Sequence, residues 1–152
     1  MSQIGSGIDL RSSLGYTLKE ASSALRAAME AVLRPLDMTV THYSCLELLA
    51  QRPGLSNSEL ARGAFVSRQS MNVLLQSLER DGLVTRPAEA QVGRALPAQL
   101  TPLGRRQLAS ASVAVRSVEE RMLSDLSPAD RIEAQRILTS FIASLTRSDT
   151  GA

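Results

Sequence analysis

A single cysteine, Cys45, stands in the 152 residues. That excludes an intrachain disulfide and any zinc site built from several cysteines. The single histidine, His42, cannot supply the roughly three or four ligands of a protein metal site. No Asp or Glu falls at a recognisable ligand spacing with it. No apolar run approaches the ~20 residues needed to span a bilayer. The opening MSQIGSGIDLRSS lacks the basic and apolar regions of a secretory signal. A cytoplasmic protein without a membrane partner is expected. The motifs of catalysis are missing too: no G-x-S-x-G, no glycine-rich phosphate loop, no H-E-x-x-H. Cys45 and His42, three residues apart, can meet on one helix face. Without an orienting third group they do not make a nucleophile and base. Neither enzyme activity nor a cofactor is expected.

Lysine is almost absent as well: Lys19 stands against sixteen arginines. The net charge is only +2, but it is unevenly distributed. Residues 1–54 carry five basic and five acidic side chains, and residues 107–152 carry five and six. Residues 55–106 hold seven arginines against four acids. The surplus on one segment agrees with a surface that faces phosphates. Arginine grips phosphate bidentately.

That segment, SNSELARGAFVSRQSMNVLLQSLERDGLVTRPAEAQVGRALPAQL from Ser56 to Leu100, reads as helix, turn, helix and two-stranded hairpin. Ser56 and Glu59 form a capping-box pattern, with Leu60, Ala61 and Ala64 facing inward and Gly63 near the helix end. Ser67 opens a second helix. Met71, Leu74, Leu75 and Leu78 give it one apolar stripe, and Asp81-Gly82 closes it. Ser67, Arg68, Gln69, Ser70 and Asn72 are left on the other side of its first turns. Arg matches guanine O6/N7, and Gln or Asn matches adenine N6/N7, at the part of a helix-turn-helix that touches bases. The plainer account of these residues is a solvated polar face. Strands are expected at residues 83–86 and 95–100, flanking a tip whose Arg94 can enter the minor groove. Arg86, Arg105 and Arg106 are candidates for flanking phosphates, or ordinary surface arginines. Ser56 and Asn57 can present helix-start amides to a phosphate, although capping alone explains them.

Leu60-Ala61, then VSRQSMNVLLQSLERDGLVTR, then GRALPAQLTPLGR together resemble the core signature of the MarR family of transcriptional regulators, from about residue 39 to residue 108. The resemblance implies a mainly α fold with a small β-hairpin wing, a winged helix-turn-helix domain, and dimerisation helices from both chain ends. It also implies a homodimer on double-stranded DNA at a pseudo-palindromic operator, most often as a repressor. One position departs: family wings carry an Asp two residues before the wing arginine, and this chain has Val92, so Arg94 lacks that partner.

Outside the winged segment, Leu14 to Leu33 reads as one long helix with Leu14, Leu18, Ala21, Leu25, Ala28 and Val32 on a stripe, ended at Pro35. Thr39 or Thr41 caps the next helix. Thr101-Pro102 opens a long helix with Leu103, Leu108, Val115, Val118, Met122 and Leu126 along it. Ser127-Pro128 opens a last one bearing Ile132, Ile137, Leu138, Phe141, Ile142 and Leu145. The expected organisation is an N-terminal dimerisation helix in residues 1–38, the DNA-binding domain in 39–100 and C-terminal dimerisation helices in 101–152. These end helices carry more apolar surface than a winged helix can cover, which points to a second copy.

The resemblance further implies a small phenolic or aromatic carboxylate effector in the crevice where the first two helices and the long fifth helix meet the winged domain. Tyr16, His42 and Tyr43 are the candidates to line it, beside the simpler account of packing. Two other functions stay open: an oxidant-sensing regulator acting through Cys45, and a winged helix used only to bind protein. Cys45 has no Arg or Lys at helical spacing to lower its pKa, and a free cysteine usually behaves as a small hydrophobe.

Overall fold

The computed structural model describes residues 7–86 and 98–147. Six α-helices and one hairpin follow in order among them: α1 (Leu14–Leu33), α2 (Val40–Gln51), α3 (Asn57–Gly63), α4 (Arg68–Arg80), β1 (Val84–Thr85), β2 (Gln99–Leu100), α5 (Pro102–Met122) and α6 (Pro128–Thr146). This is the mainly helical winged architecture expected from the sequence.

Local chemistry sets the helix boundaries. Ser13, Ser56, Ser67 and Ser127 each accept a first-turn amide through the side-chain oxygen, satisfying a donor the helix cannot. Thr39, not Thr41, caps α2, and His42 completes the box: its Nδ1 accepts from the Thr39 N–H at 3.4 Å. Gly82, at φ 75°, closes α4 in the left-handed region, which glycine enters without a Cβ clash.

The strands are shorter than the expected residues 83–86 and 95–100. Leu83 is already committed: its N–H donates to the Leu78 carbonyl and its own carbonyl accepts from Thr101. Arg86 turns aside to Glu79. Val84 pairs with Leu100 and Thr85 with Gln99 in antiparallel register. Residues 95–97, with Arg94 and the rest of the wing tip, lie outside the described residues.

The core runs through α2, α3, α4 and the hairpin. Leu33, Cys45, Leu46, Leu60, Met71 and Leu75 expose nothing, each large aliphatic there contributing about 1.5–3 kcal/mol of burial. α5 starts against this core at Gly104. A Cβ there would stand 2.1 Å from the Leu83 carbonyl oxygen, so only glycine lets the helix cross the hairpin base so closely. Thr101 braces the same corner, its hydroxyl donating to the Gly82 carbonyl at 2.6 Å and accepting from the Gly104 N–H at 3.0 Å.

The described chain forms two compact units that part between Val118 and Glu119. In the first, the α1 stripe is covered only toward its C-terminal half. Leu14 and Leu18 are exposed, whereas Leu25, Ala28 and Val32 are half-buried. In the second, α6 has no buried residue. α5 ends at Met122, so Leu126 falls not on that helix, as the stripe suggests, but in the turn before Ser127, where its N–H reaches the Leu123 carbonyl.

Candidate nucleic-acid interface

The geometry is set by the turn between α3 and α4. The Phe65 N–H donates to the Arg62 carbonyl and the Val66 N–H to the Ala61 carbonyl, the paired closure of a Schellman turn. Its left-handed position is filled by Phe65 at φ 62° rather than by glycine, and the ring is 94% exposed. A bulky side chain there costs about 1–2 kcal/mol. Ser67 follows, accepting from the Ser70 N–H and donating to the Ser70 hydroxyl, both at 3.0 Å.

From this start α4 has two faces. Met71, Leu75 and Leu78 are buried. Arg68, Gln69, Ser70 and Asn72 are exposed, as the stripe requires. Among the described residues, Arg68 and Gln69 have no partner within the protein. Val73, 64% exposed, and Gln76, also exposed, continue the same surface and were not among the sequence candidates. Val73 was recognisable in principle as the one aliphatic that falls off the 71-74-75-78 stripe.

Asn72 and Arg86 are not free in the way that Arg68 is. Asn72 Oδ1 accepts from Asn57 Nδ2 at 3.2 Å and from Arg86 Nη1 at 3.4 Å. Arg86 Nε donates to Glu79 Oε2 at 3.1 Å, and its side chain is only 24% exposed. The chain α3–α4–β1 is thereby tied by polar groups at the edge of the exposed face. The second terminal nitrogen of Arg86 has no partner among the described residues. Ser56 and Asn57 hold the α3 start, Ser56 as half of a capping box with Glu59. Arg105 and Arg106 are exposed on the first turn of α5.

The remaining candidates separate by environment. Cys45 is fully buried, its thiol donating to the Met71 sulfur at 3.8 Å. Burial pushes its pKa up to about 12, the reverse of what an oxidant-sensing thiolate needs. His42 Nδ1 is occupied by the helix cap, so it is not bonded to the Cys45 thiol. Tyr43 donates to Glu47 Oε2 at 2.7 Å. Glu47 also accepts from Gln51 and, across to α5, from Ser112 at 2.9 Å. Burial alone would raise the Glu47 carboxyl, but these hydrogen bonds and the nearby Arg116 hold it below the usual range. Tyr16 is exposed on the first turn of α1.

Two cavities flank Met38. One, of about 570 Å³, is lined by Arg26, Glu30, Arg34, Asp37, Thr39 and Thr41 as well as Met38. The other, of about 290 Å³, lies between Leu36 and Met38 on one side and Arg106, Gln107 and Ser110 of α5 on the other. Neither is lined by Tyr16, His42 or Tyr43. Among the described residues no cluster could hold a metal ion, and no helix is long and apolar enough to cross a membrane.

A sequence model described as "MarR family" matches residues 36–95. The HTH-type transcriptional repressor Rv2887 of Mycobacterium tuberculosis is 43% identical over 125 residues, covering 82% of this chain and 90% of that protein. Its crystal structure with salicylic acid matches the fold with a TM-score of 0.70 at 42% identity, over 86% of this chain and 96% of that one. Its complex with DNA matches with a TM-score of 0.69 at 37% identity, over 86% and 98%.

Proposed function

The chain belongs to the MarR family, and from that premise we propose that it is a ligand-responsive transcriptional regulator. It binds a pseudo-palindromic operator as a homodimer and represses by obstructing the promoter. The observation that carries this reading is the exposed face of α4. Arg68 and Gln69, without a partner among the described residues, stand exposed on its first turn, beyond a capped helix start, where a helix-turn-helix addresses the major groove. Arg68 takes guanine O6/N7, and Ser67, Ser70 and Asn72 flank it. Arg86 meets a phosphate at the edge, and Arg94 on the wing adds a minor-groove contact.

Dimerisation follows from surface that one copy leaves open. Ile8, Leu10 and Leu14 near one end, and Ile132, Ile142 and Leu145 near the other, are each more than half exposed. Large apolar side chains left open on both chain ends suit burial against a second copy. Two α4 helices in such a dimer meet half-sites about one helical turn apart.

The effector is an aromatic acid, and the cavity beside Met38 suits it. Leu36 and Met38 offer an apolar wall to a ring, and Arg106 offers a bidentate partner to a carboxylate. Such a ligand relieves repression only by binding the DNA-incompetent spacing of the dimer more tightly than the competent one. The burial of Cys45 favours this over oxidant sensing.

Fluorescence anisotropy on the DNA upstream of the protein's own gene, at two salt concentrations, tests the reading. Expected are salt-sensitive binding that outcompetes random duplex, relief by salicylate, and loss of that relief in Arg106→Ala. Arg68→Ala should weaken specific binding by about 1–3 kcal/mol. Equal affinity for operator and random duplex, with no better site recovered by genome-wide selection of bound fragments, would leave a protein-binding winged helix instead.

A further inference from the structure

The amide of Asn72 has a fixed direction. A guanidinium carries donors only, so the Asn72 atom turned toward Arg86 Nη1 at 3.4 Å must be its oxygen. The same oxygen takes the Asn57 amide N–H at 3.2 Å. Glu79 anchors Arg86 from behind at 3.1 Å. With Oδ1 engaged twice, Asn72 presents its exposed side to a partner as an NH₂ group alone.

This changes what the residue can read. The usual pairing of Asn with adenine needs one acceptor and one donor from the amide, to meet N6–H and N7 together. Asn72 has no acceptor left for N6–H. Guanine, with N7 and O6, and thymine, with O4, present only acceptors to an NH₂ group; adenine presents N7 too, but sets beside it an N6 donor that Asn72 leaves unpaired, and cytosine presents only its N4 donor. Val73, next along the exposed face, adds aliphatic surface of the kind that meets a thymine methyl.

We propose that Asn72 is a one-way donor that selects guanine or thymine at one step of each half-site, against adenine and cytosine. Asn57, Arg86 and Glu79 are positioning residues that hold its amide in that sense. The inference rests on the DNA-reading function proposed above and adds the polarity of one contact to it.

Selection of bound duplexes from a randomised library by the full-length protein tests it, with Asn72→Ala, Asn72→Asp and the double variant Asn57→Ala/Arg86→Ala run alongside. The wild type should enrich guanine or thymine over adenine about three- to tenfold at one step. Asn72→Ala should flatten that step and no other. Asn72→Asp keeps the one inward oxygen that accepts from Asn57 and Arg86, so the clamp survives, but its second oxygen turns an acceptor outward. Cytosine should then replace guanine or thymine at the same step. The double variant frees the amide to rotate and should admit adenine there. Thermal melting of each variant separates these readouts from misfolding. If Asn72→Asp does not fold, the wild-type and Asn72→Ala preferences decide the matter. Enrichment of adenine at the step that Asn72→Ala flattens would overturn the proposal, as would an Asn72→Ala profile identical to the wild type. A wild type with no preference for any sequence would instead remove the DNA-reading function, and this inference with it.

Discussion

Leu46, Leu60, Met71 and Leu75 expose none of their surface, while Ile132, Ile142 and Leu145 expose 73%, 62% and 85%. The two groups have similar side chains and lie on helices of similar quality, each opened by a hydroxyl cap. Propensity and capping therefore explain why α6 is a helix as well as they explain α4. They do not explain what α6 is for. In water a helix draws most of its stability from a packed apolar face, and α6 has no buried residue to supply one. The winged helix closes its core within one chain. The end helices hold the same kind of material unused, which the proposed second copy covers.

The sharpest way to break this contrast is to truncate one side chain of the closed core. Leu75→Ala should cost about 3–4 kcal/mol, transfer and cavity together, read as a fall in the denaturant midpoint. A cost near zero would mean that the core tolerates a void and is not close-packed. A smaller effect of opposite sign is expected at the turn leading into α4. Phe65→Gly removes a left-handed strain of about 1–2 kcal/mol and adds back about 0.5–1 kcal/mol of unfolded-chain entropy. Net stability should rise by about 0.5 kcal/mol. A clear loss would show that the exposed ring packs on something within the protein.

The smallest effect concerns His42. Burial lowers its pKa below the ordinary 6.5, against a weaker upward pull from Asp81. The folded state therefore binds this proton less tightly than the unfolded chain. Its contribution is complete above about pH 6.5 and is lost as pH falls through the depressed folded value. Protonation would also cost the cap, since a protonated Nδ1 cannot accept the Thr39 N–H. His42→Gln keeps a box-forming acceptor without titrating. It should flatten this part of the stability profile, by about 0.5 kcal/mol or less. An unchanged slope would locate the titration elsewhere.

What could be read from the sequence follows the range of the interaction. Ser56, Ser67 and Ser127 announce their helices because a cap and its amide lie about three residues apart. The buried stripe of α4 and its exposed opposite face follow from the 3.6-residue period. Thr39 and Thr41 could not be separated by that logic until His42 was seen to close the box on Thr39. The ties that shape the candidate interface span the chain: Asn57 to Asn72, Arg86 to Asn72, Leu83 to Gly104, Glu47 to Ser112. No periodicity signals such pairs, which form only when the fold brings distant segments together. Phe65 was hidden for a related reason, since composition favours glycine in its left-handed position. Tyr16, His42 and Tyr43 line neither of the cavities beside Met38. Two of the three are engaged in local bonds on α2.

On the function proposed above, the open apolar ends complete a dimer, and only the dimer reads DNA. Sedimentation of the wild type and of Ile132→Glu/Leu145→Glu, each followed by anisotropy on the same operator, tests it directly. Expected are a wild-type dimer, a monomeric double variant with its winged helix still folded, and at least a tenfold loss of operator affinity on dissociation. A wild type that sediments as a monomer, or a monomeric variant that binds the operator as tightly, would contradict it.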